Sequence, residues 1–194
     1  LTPKKKKVVN VTYVLHPGVA YVVNHVDYNI QDAAIDSVLR KGRVLGTGAL
    51  KAGEQFNVSN LDGERKRITE YLANRGYYRF NKDYITFRAD TVAGVAKVDL
   101  TLVLHPFPVS RDSIGAHPVY TVRNVNYKSG DPEDDRIPFR TSVLRSNTFI
   151  TSGQPYSAKD LQTTYNRFGR LQAIKYTNIS FVEDEAAKEL DCNI

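Results

Sequence analysis

The sequence predicts an α+β chain of tandem β-α-α-β-β units, each a three-stranded mixed sheet with two helices on one face. Three observations carry that prediction. First, a heptapeptide near the start, VTYVLHP (11–17), returns as LTLVLHP (100–106). Second, two further blocks repeat in the same order. VAYVVNHVDY (19–28) matches HPVYTVRNVNY (117–127), pairing Tyr21 with Tyr120, Val23 with Val122, Val26 with Val125 and Tyr28 with Tyr127. LKAGEQFNVSNL (50–61) matches ITSGQPYSAKDL (150–161), pairing Leu50 with Ile150, Gly53 with Gly153, Phe56 with Tyr156 and Leu61 with Leu161. Third, within each copy the apolar spacing switches from alternation to helical periodicity and back, as strands and helices require.

In chain order, Val9, Val11, Tyr13 and Leu15 alternate with other residues, the pattern of a strand over 7–16 with one covered face. Val98, Leu100, Leu102 and Leu104 repeat the pattern, and Pro17 and Pro106 end both strands because proline has no N–H for a ladder. Tyr21 to Ile30 reads as a β-branched, aromatic strand. Ala34, Ile35, Val38 and Leu39 then share a helical face, with Gly42 as its stop; Val143 and Leu144 mark the counterpart helix, with Pro138 near its first turn. Asn57 and Ser157 are equivalent N-caps. The helix after Asn57 runs through Leu61, Ile68 and Leu72 to Gly76; the one after Ser157 runs through Leu161, Tyr165 and Phe168, with Gly169 as a weak point. DYITFRAD (83–90) and YTNISFVED (176–184) read as strands with Ile85, Phe87, Ile179 and Phe181 inward. The last two strands of a unit form an antiparallel hairpin, and the first strand joins through both helices, so it can lie parallel to a neighbour.

These elements divide the chain into a last strand of a preceding unit at 1–17, a complete unit at 18–106, a linker or insert at 107–116 containing Pro106, Pro108 and Gly115 at or beside its ends, and a second unit at 117–194 cut at its last strand. Whether the insert PVSRDSIGAH bends as a hinge or stiffens as a brace stays open at this level. Three strands leave two edges with unpaired backbone groups, and an edge is the main chemical handle that the sequence offers.

Bulk composition excludes several classes. At 194 residues with 25% charged and 41% hydrophobic residues, the chain is globular in type. The single cysteine, Cys192, excludes an internal disulfide and CxxC sites. Lys4 to Lys7 form the obvious basic cluster of a chain with net charge +6; it reads either as a nucleic-acid or anionic-lipid patch or as a solvated lead-in to a strand, and the absence of interleaved aromatic residues favours the lead-in. The four histidines (16, 25, 105 and 117) match no metal-ligand spacing; His16 and His105 are read as strand-end residues bonding backbone. LGTGAL has no strand immediately before it, which argues against phosphate binding, and DPEDD (131–135) lacks the alternating ligands of a Ca²⁺ loop. No converging polar set points to catalysis, and no metal or cofactor is called for. A KH-like nucleic-acid module is the rival reading, but the glycines between the helices (42, 46, 48 and 53) supply no GxxG clamp.

On the G-x-x-F/Y landmark (Gly53/Phe56, Gly153/Tyr156), the helix ending YLANRGYYRF (71–80) and the two strands after it, the chain resembles tandem POTRA domains of the BamA/TamA-like outer-membrane assembly superfamily. In the second copy RLQAIKY (170–176) holds the corresponding place without the glycine. Tyrosine richness and the GYYRF wording resemble Bacteroidetes-type members. The resemblance implies a periplasmic location at the outer membrane of a Gram-negative bacterium, a C-terminal membrane barrel outside this sequence, and no nucleic-acid partner. It implies a scaffold for unfolded outer-membrane proteins or periplasmic accessory proteins, working by β-augmentation on the second strand of the unit. The receiving edge would be about 82–89, with Tyr84, Ile85, Thr86, Phe87 and Arg88 at its centre and Tyr84, Thr86 and Arg88 facing outward. A docking domain of a secretion or division protein is the alternative within the same fold.

Overall fold

Asp32 starts the first helix because its carboxylate accepts from the N–H groups of Ala34 and Ile35, two of the donors that a helix start leaves without partners. Asn57 and Ser157 cap the two longer helices in the same way, accepting from Asn60 N and Asp160 N. The computed structural model describes residues 12–16, 18–129 and 136–194. In chain order the elements are β1 (Val22–Ile30), α1 (Ala33–Lys41), α2 (Val58–Ala73), β2 (Ile85–Thr91), β3 (Lys97–Leu104), β4 (Phe107–Ser110), β5 (Ser113–Gly115), β6 (Thr121–Asn126), α3 (Thr141–Asn147), α4 (Ala158–Phe168), β7 (Ser180–Asp184) and β8 (Glu189–Asn193). This is the expected β-α-α-β-β order, and the second copy, expected to be cut at its last strand, carries that strand as β8.

Each copy builds the same mixed sheet. The orders are β1-β3-β2 and β6-β8-β7, with the last strand of each copy in the centre. β1 runs parallel to β3 and β2 antiparallel to it; β6, β8 and β7 repeat this. The copies match in register too: Val23 faces Val98 and Val26 faces Leu100, while Val122 faces Leu190 and Val125 faces Cys192, each ladder with a shift between the two pairs. In the first copy Ile35 and Leu39 of α1 and Ile68 and Leu72 of α2 pack on Ile85, Leu102 and Leu104. Val23, Leu50, Val98 and Leu100 form a second cluster of the first copy, and Val122, Ile150, Ile179 and Cys192 form its counterpart in the second. Burial pushes the Cys192 thiol up to about 12, so it stays protonated at neutral pH.

The G-x-x-F/Y landmark now has a physical cause. Gly53 (φ +88°) and Gly153 (φ +79°) turn the chain so that the next residues pair with the outer side of β1 and β6. Val23 N donates to Glu54 O, Gly53 N to Val23 O and Phe56 N to Tyr21 O; Val122, Gly153 and Tyr156 repeat all three bonds with Gln154, Val122 and Tyr120. The first half of each outer parallel strand is therefore already covered. β2 and β7 are the outer strands at the other edges.

Several expectations need correction. Residues 12–16 carry no strand, and Tyr13 and Leu15 are 84% and 85% exposed; 7–11, Pro17, Lys4 to Lys7 and DPEDD lie outside the described residues. The strand expected from Asp83 begins at Ile85, because Asn81 accepts from Asp83 N and winds Lys82–Tyr84 into a 3-10 turn. β7 likewise starts at Ser180 rather than 176, and Tyr176 is exposed. Gly169 is the cap that ends α4 rather than a weak point inside it. The insert is a hairpin, β4 against β5, with Phe107 opposite Gly115 and Pro108 opposite Ile114.

Candidate functional site

Two surfaces could carry function: the β2 edge and the junction between the copies. On β2 the hydrogen bonds His105 N to Tyr84 O and Val92 N to Lys97 O, with the register between them, fix which residues bond the central strand. An antiparallel ladder alternates bonded and outward-turned residues. Tyr84, Thr86, Arg88, Asp90 and Val92 therefore bond toward β3, whereas the peptide groups of Phe87, Ala89 and Thr91 point to the open side. Side chains follow the other alternation. Ile85 is fully buried, and Phe87 is half-buried with the Arg65 guanidinium 5.7 Å from its ring centre. Arg88 is exposed and lies 3.2 Å from Asp90. Thr86 Oγ1 shares a hydrogen bond of 2.8 Å with His105 Nε2.

Tyr84 stands apart from the strand. Its ring sits 4.5 Å from the His117 ring and 5.5 Å from that of Phe80, with Phe107 at 6.3 Å. It therefore belongs to the junction. Of the linker residues, Pro106 joins β3 to β4, Pro108 lies in β4, and Gly115 in β5 leaves no room for a side chain, since a Cβ there would come 2.9 Å from Val109.

Sequence reasoning missed how the junction is assembled. RGYYRF closes α2, and the structure inserts it into the second copy. Gly76 N donates to Tyr156 O at 2.8 Å, and Tyr120 N donates to Gly76 O at 2.7 Å. Tyr78 packs against Tyr120, Tyr156 and Phe181 with ring centres 5.8, 5.0 and 5.7 Å away. Arg79 pairs with Glu183 at 2.8 Å and also with Glu185, and Glu183 accepts from the buried Tyr120 hydroxyl. Burial, with Glu183 beside it, pushes the Tyr120 phenol up to about 12. Asn74 Oδ1 accepts from Lys159 N at the start of α4. The run of two tyrosines and an arginine beside a glycine was the available signal, but a helix-ending turn and an inter-unit plug look alike in one dimension.

A second seam lies at the hairpin. Asp32 is 3% exposed and, besides capping α1, accepts from His117 N at 2.7 Å. His117 Nε2 lies 3.0 Å from His105 O. A carbonyl only accepts, so Nε2 carries the proton and Nδ1 keeps a lone pair. That Nδ1 is buried with no partner. His105 thus meets His117 through its backbone carbonyl, while its ring bonds the Thr86 hydroxyl rather than the backbone expected of a strand-end residue; no group of metal-binding type occurs among the described residues.

Burial lowers the His117 pKa below its usual value, against the opposing pull of His105 O and Asp32. A base that binds its proton less readily when folded stabilises the fold above its unfolded pKa, near 6.5, and loses that contribution as pH falls through the folded value. Thermal unfolding is expected at a lower temperature at pH 5 than at pH 7.5, and His117→Gln should flatten the difference. An unchanged pH profile in that variant would show that another group governs it.

The two copies, joined end to end through a plug and a hairpin, define a tandem scaffold in which each β-α-α-β-β unit keeps an outer strand. The structure is similar to BamA POTRA domains 3–5 of Haemophilus influenzae (TM-score 0.56, 16% identity, 91% of this chain and 61% of that one). It is also similar to Haemophilus ducreyi BamA lacking POTRA domains 1–3 (TM-score 0.62, 16% identity, 89% of this chain and 28% of that one). The chain therefore spans less than two thirds of either neighbour. It has the POTRA fold, as its motifs led one to expect. No protein-family model matches the sequence, and a search of curated proteins finds no match either.

Proposed function

We propose that this chain is a periplasmic POTRA region of an outer-membrane protein biogenesis or secretion machine, with one domain over 18–106, a connecting hairpin over 107–116 and a second domain over 117–194. It binds extended segments of unfolded outer-membrane proteins, or of accessory proteins, as an added strand on β2, and works in front of a membrane barrel. It performs no chemistry of its own. The observation that supports this reading is the asymmetry of the edges: the G-x-x-F/Y segment covers the first half of β1, while Phe87, Ala89 and Thr91 turn their peptide groups outward on β2. Three residues present about six backbone groups, and at about 1 kcal/mol net for each hydrogen bond the ordering cost leaves weak, reversible capture. Weak capture suits a scaffold that hands its client on. Arg88 and Asp90, both exposed, lie beside the added strand and bias it toward polar or mixed-charge segments. No helix among the described residues is long and apolar enough to cross a membrane.

Ala89→Pro tests the edge directly. The N–H that proline removes points away from β3, so the ladder is left whole, as edge strands tolerate. The melting temperature should move little. Capture of an unfolded barrel peptide by a photo-crosslinker at Arg88 should fall at least about tenfold, the loss expected from removing one or two net hydrogen bonds and obstructing the edge. Capture at the parent level would rule out strand addition at β2.

A further inference from the structure

We propose that the first unit carries a receiving face for another unit of the same fold, formed by Tyr21, Phe56 and Val58 at the start of β1 and α2. This rests on the tandem-domain reading above and goes beyond it by assigning the docking residues and the form of the partner. The second unit has the same face, and there it is occupied. There the cup is made by Tyr120, Tyr156 and the start of α4, and the occupant is the loop 76–78 of the first unit. The repeat places Tyr21 on Tyr120, Phe56 on Tyr156 and Val58 on Ala158. The cup itself is intact in the first unit, since Phe56 N donates to Tyr21 O at 2.9 Å as Tyr156 N does to Tyr120 O.

Occupancy is what differs. Tyr120 is fully buried and Tyr156 8% exposed, whereas Tyr21 is 41% and Val58 71% exposed. The two backbone groups that clamp Gly76 in the second unit, Tyr120 N and Tyr156 O, correspond to Tyr21 N and Phe56 O, which have no hydrogen-bond partner among the described residues. An apolar cup flanked by one outward donor and one outward acceptor fits a loop that offers a carbonyl and an N–H from a single residue and an aromatic ring two positions later. That is the form of Gly76 and Tyr78, with Gly76 at φ +90°. A client strand fits less well, because the G-x-x-F segment already occupies the ladder side of β1.

Charge refines the partner further. By register, Glu183 corresponds to Thr91, as both face the strand residue that pairs with Val122 or Val23; two positions on, Glu185 corresponds to Ala93. The first unit thus lacks the carboxylates that hold Arg79, and its partner loop needs no arginine there. Recognition is by glycine and an aromatic ring.

The test places p-benzoylphenylalanine at Val58 in the protein at its natural length, with the same crosslinker at Val119 as reference. Val119 abuts the occupied junction: a Cβ at Gly76 would lie 2.5 Å from its Cγ1. The reference should crosslink to residues 76–78. The Val58 crosslink should map, at comparable yield, to the helix-to-strand loop of another β-α-α-β-β unit of the same polypeptide. A crosslink to a different protein, or none while the reference reacts, overturns the proposal. The Arg88 crosslinker, read separately, reports on client capture, so either reading can fail without the other.

Discussion

Gly76→Ala is expected to part the two units while each keeps its own sheet. Gly76 sits at φ +90°, a region that costs an L-residue about 1–2 kcal/mol. An added Cβ would come 2.5 Å from Val119 Cγ1, 3.1 Å from Tyr120 O and 3.4 Å from Pro155 Cβ. Two of those contacts are with Tyr120, just before β6, and with Pro155 of the landmark loop, which are tied together by the Tyr156 N to Tyr120 O bond, so the glycine loop must withdraw. Withdrawal breaks the bonds to Tyr156 O and from Tyr120 N and pulls Tyr78 from its three-ring seat. Two backbone bonds, overpacking and backbone strain together amount to about 4 kcal/mol. Calorimetry should show one cooperative transition splitting into two, and proteolysis should newly cut the hairpin around 107–116. A single unsplit transition would mean that the plug does not couple the units.

Asp32→Ala has the second-largest expected effect, because one buried carboxylate serves two structures. It accepts from Ala34 N at 2.9 Å, Ile35 N at 3.1 Å and His117 N at 2.7 Å. Removing the cap costs about 1 kcal/mol, and leaving the buried His117 N–H without an acceptor costs about 1–3 more. The total is about 3 kcal/mol, read from the denaturation midpoint. Asp32→Asn separates the two roles. Its carbonyl can still cap α1, but its NH₂ then faces His117 N–H, donor against donor, so helix stability should return while amide-exchange protection at His117 stays low. Full recovery of both in the asparagine variant would show that the charge and the second oxygen are not needed.

Much of the fold was legible because its signals are local. Alternation at Val98, Leu100, Leu102 and Leu104 reads as a strand whatever it packs on, and all four are buried in β3. The caps at Asn57 and Ser157 are fixed by the residue itself and its neighbours within one turn. Duplication then confirmed each element by its counterpart, down to the glycine that turns the G-x-x-F/Y segment onto the first strand. The errors also have local causes. A side-chain cap at Asn81 tightened the start of β2 into a turn, and that moved Tyr84 out of the edge where alternation had placed it.

The junction was not legible, because its partners lie far apart in sequence and none has a pattern of its own. Arg79 meets Glu183 and Glu185, Asp32 meets His117, and Tyr78 fits among residues 120, 156 and 181. Each is an ordinary residue until the partner is placed beside it. The sequence alone determined the unit, its order of elements and its repetition, since periodicity, capping and proline are properties of a few neighbouring residues. Only the tertiary structure decided which edge is covered, where the RGYYRF loop goes and which tyrosines are left waiting on the outer face. Those depend on pairing between distant segments, where burial and backbone hydrogen bonds are satisfied together or not at all.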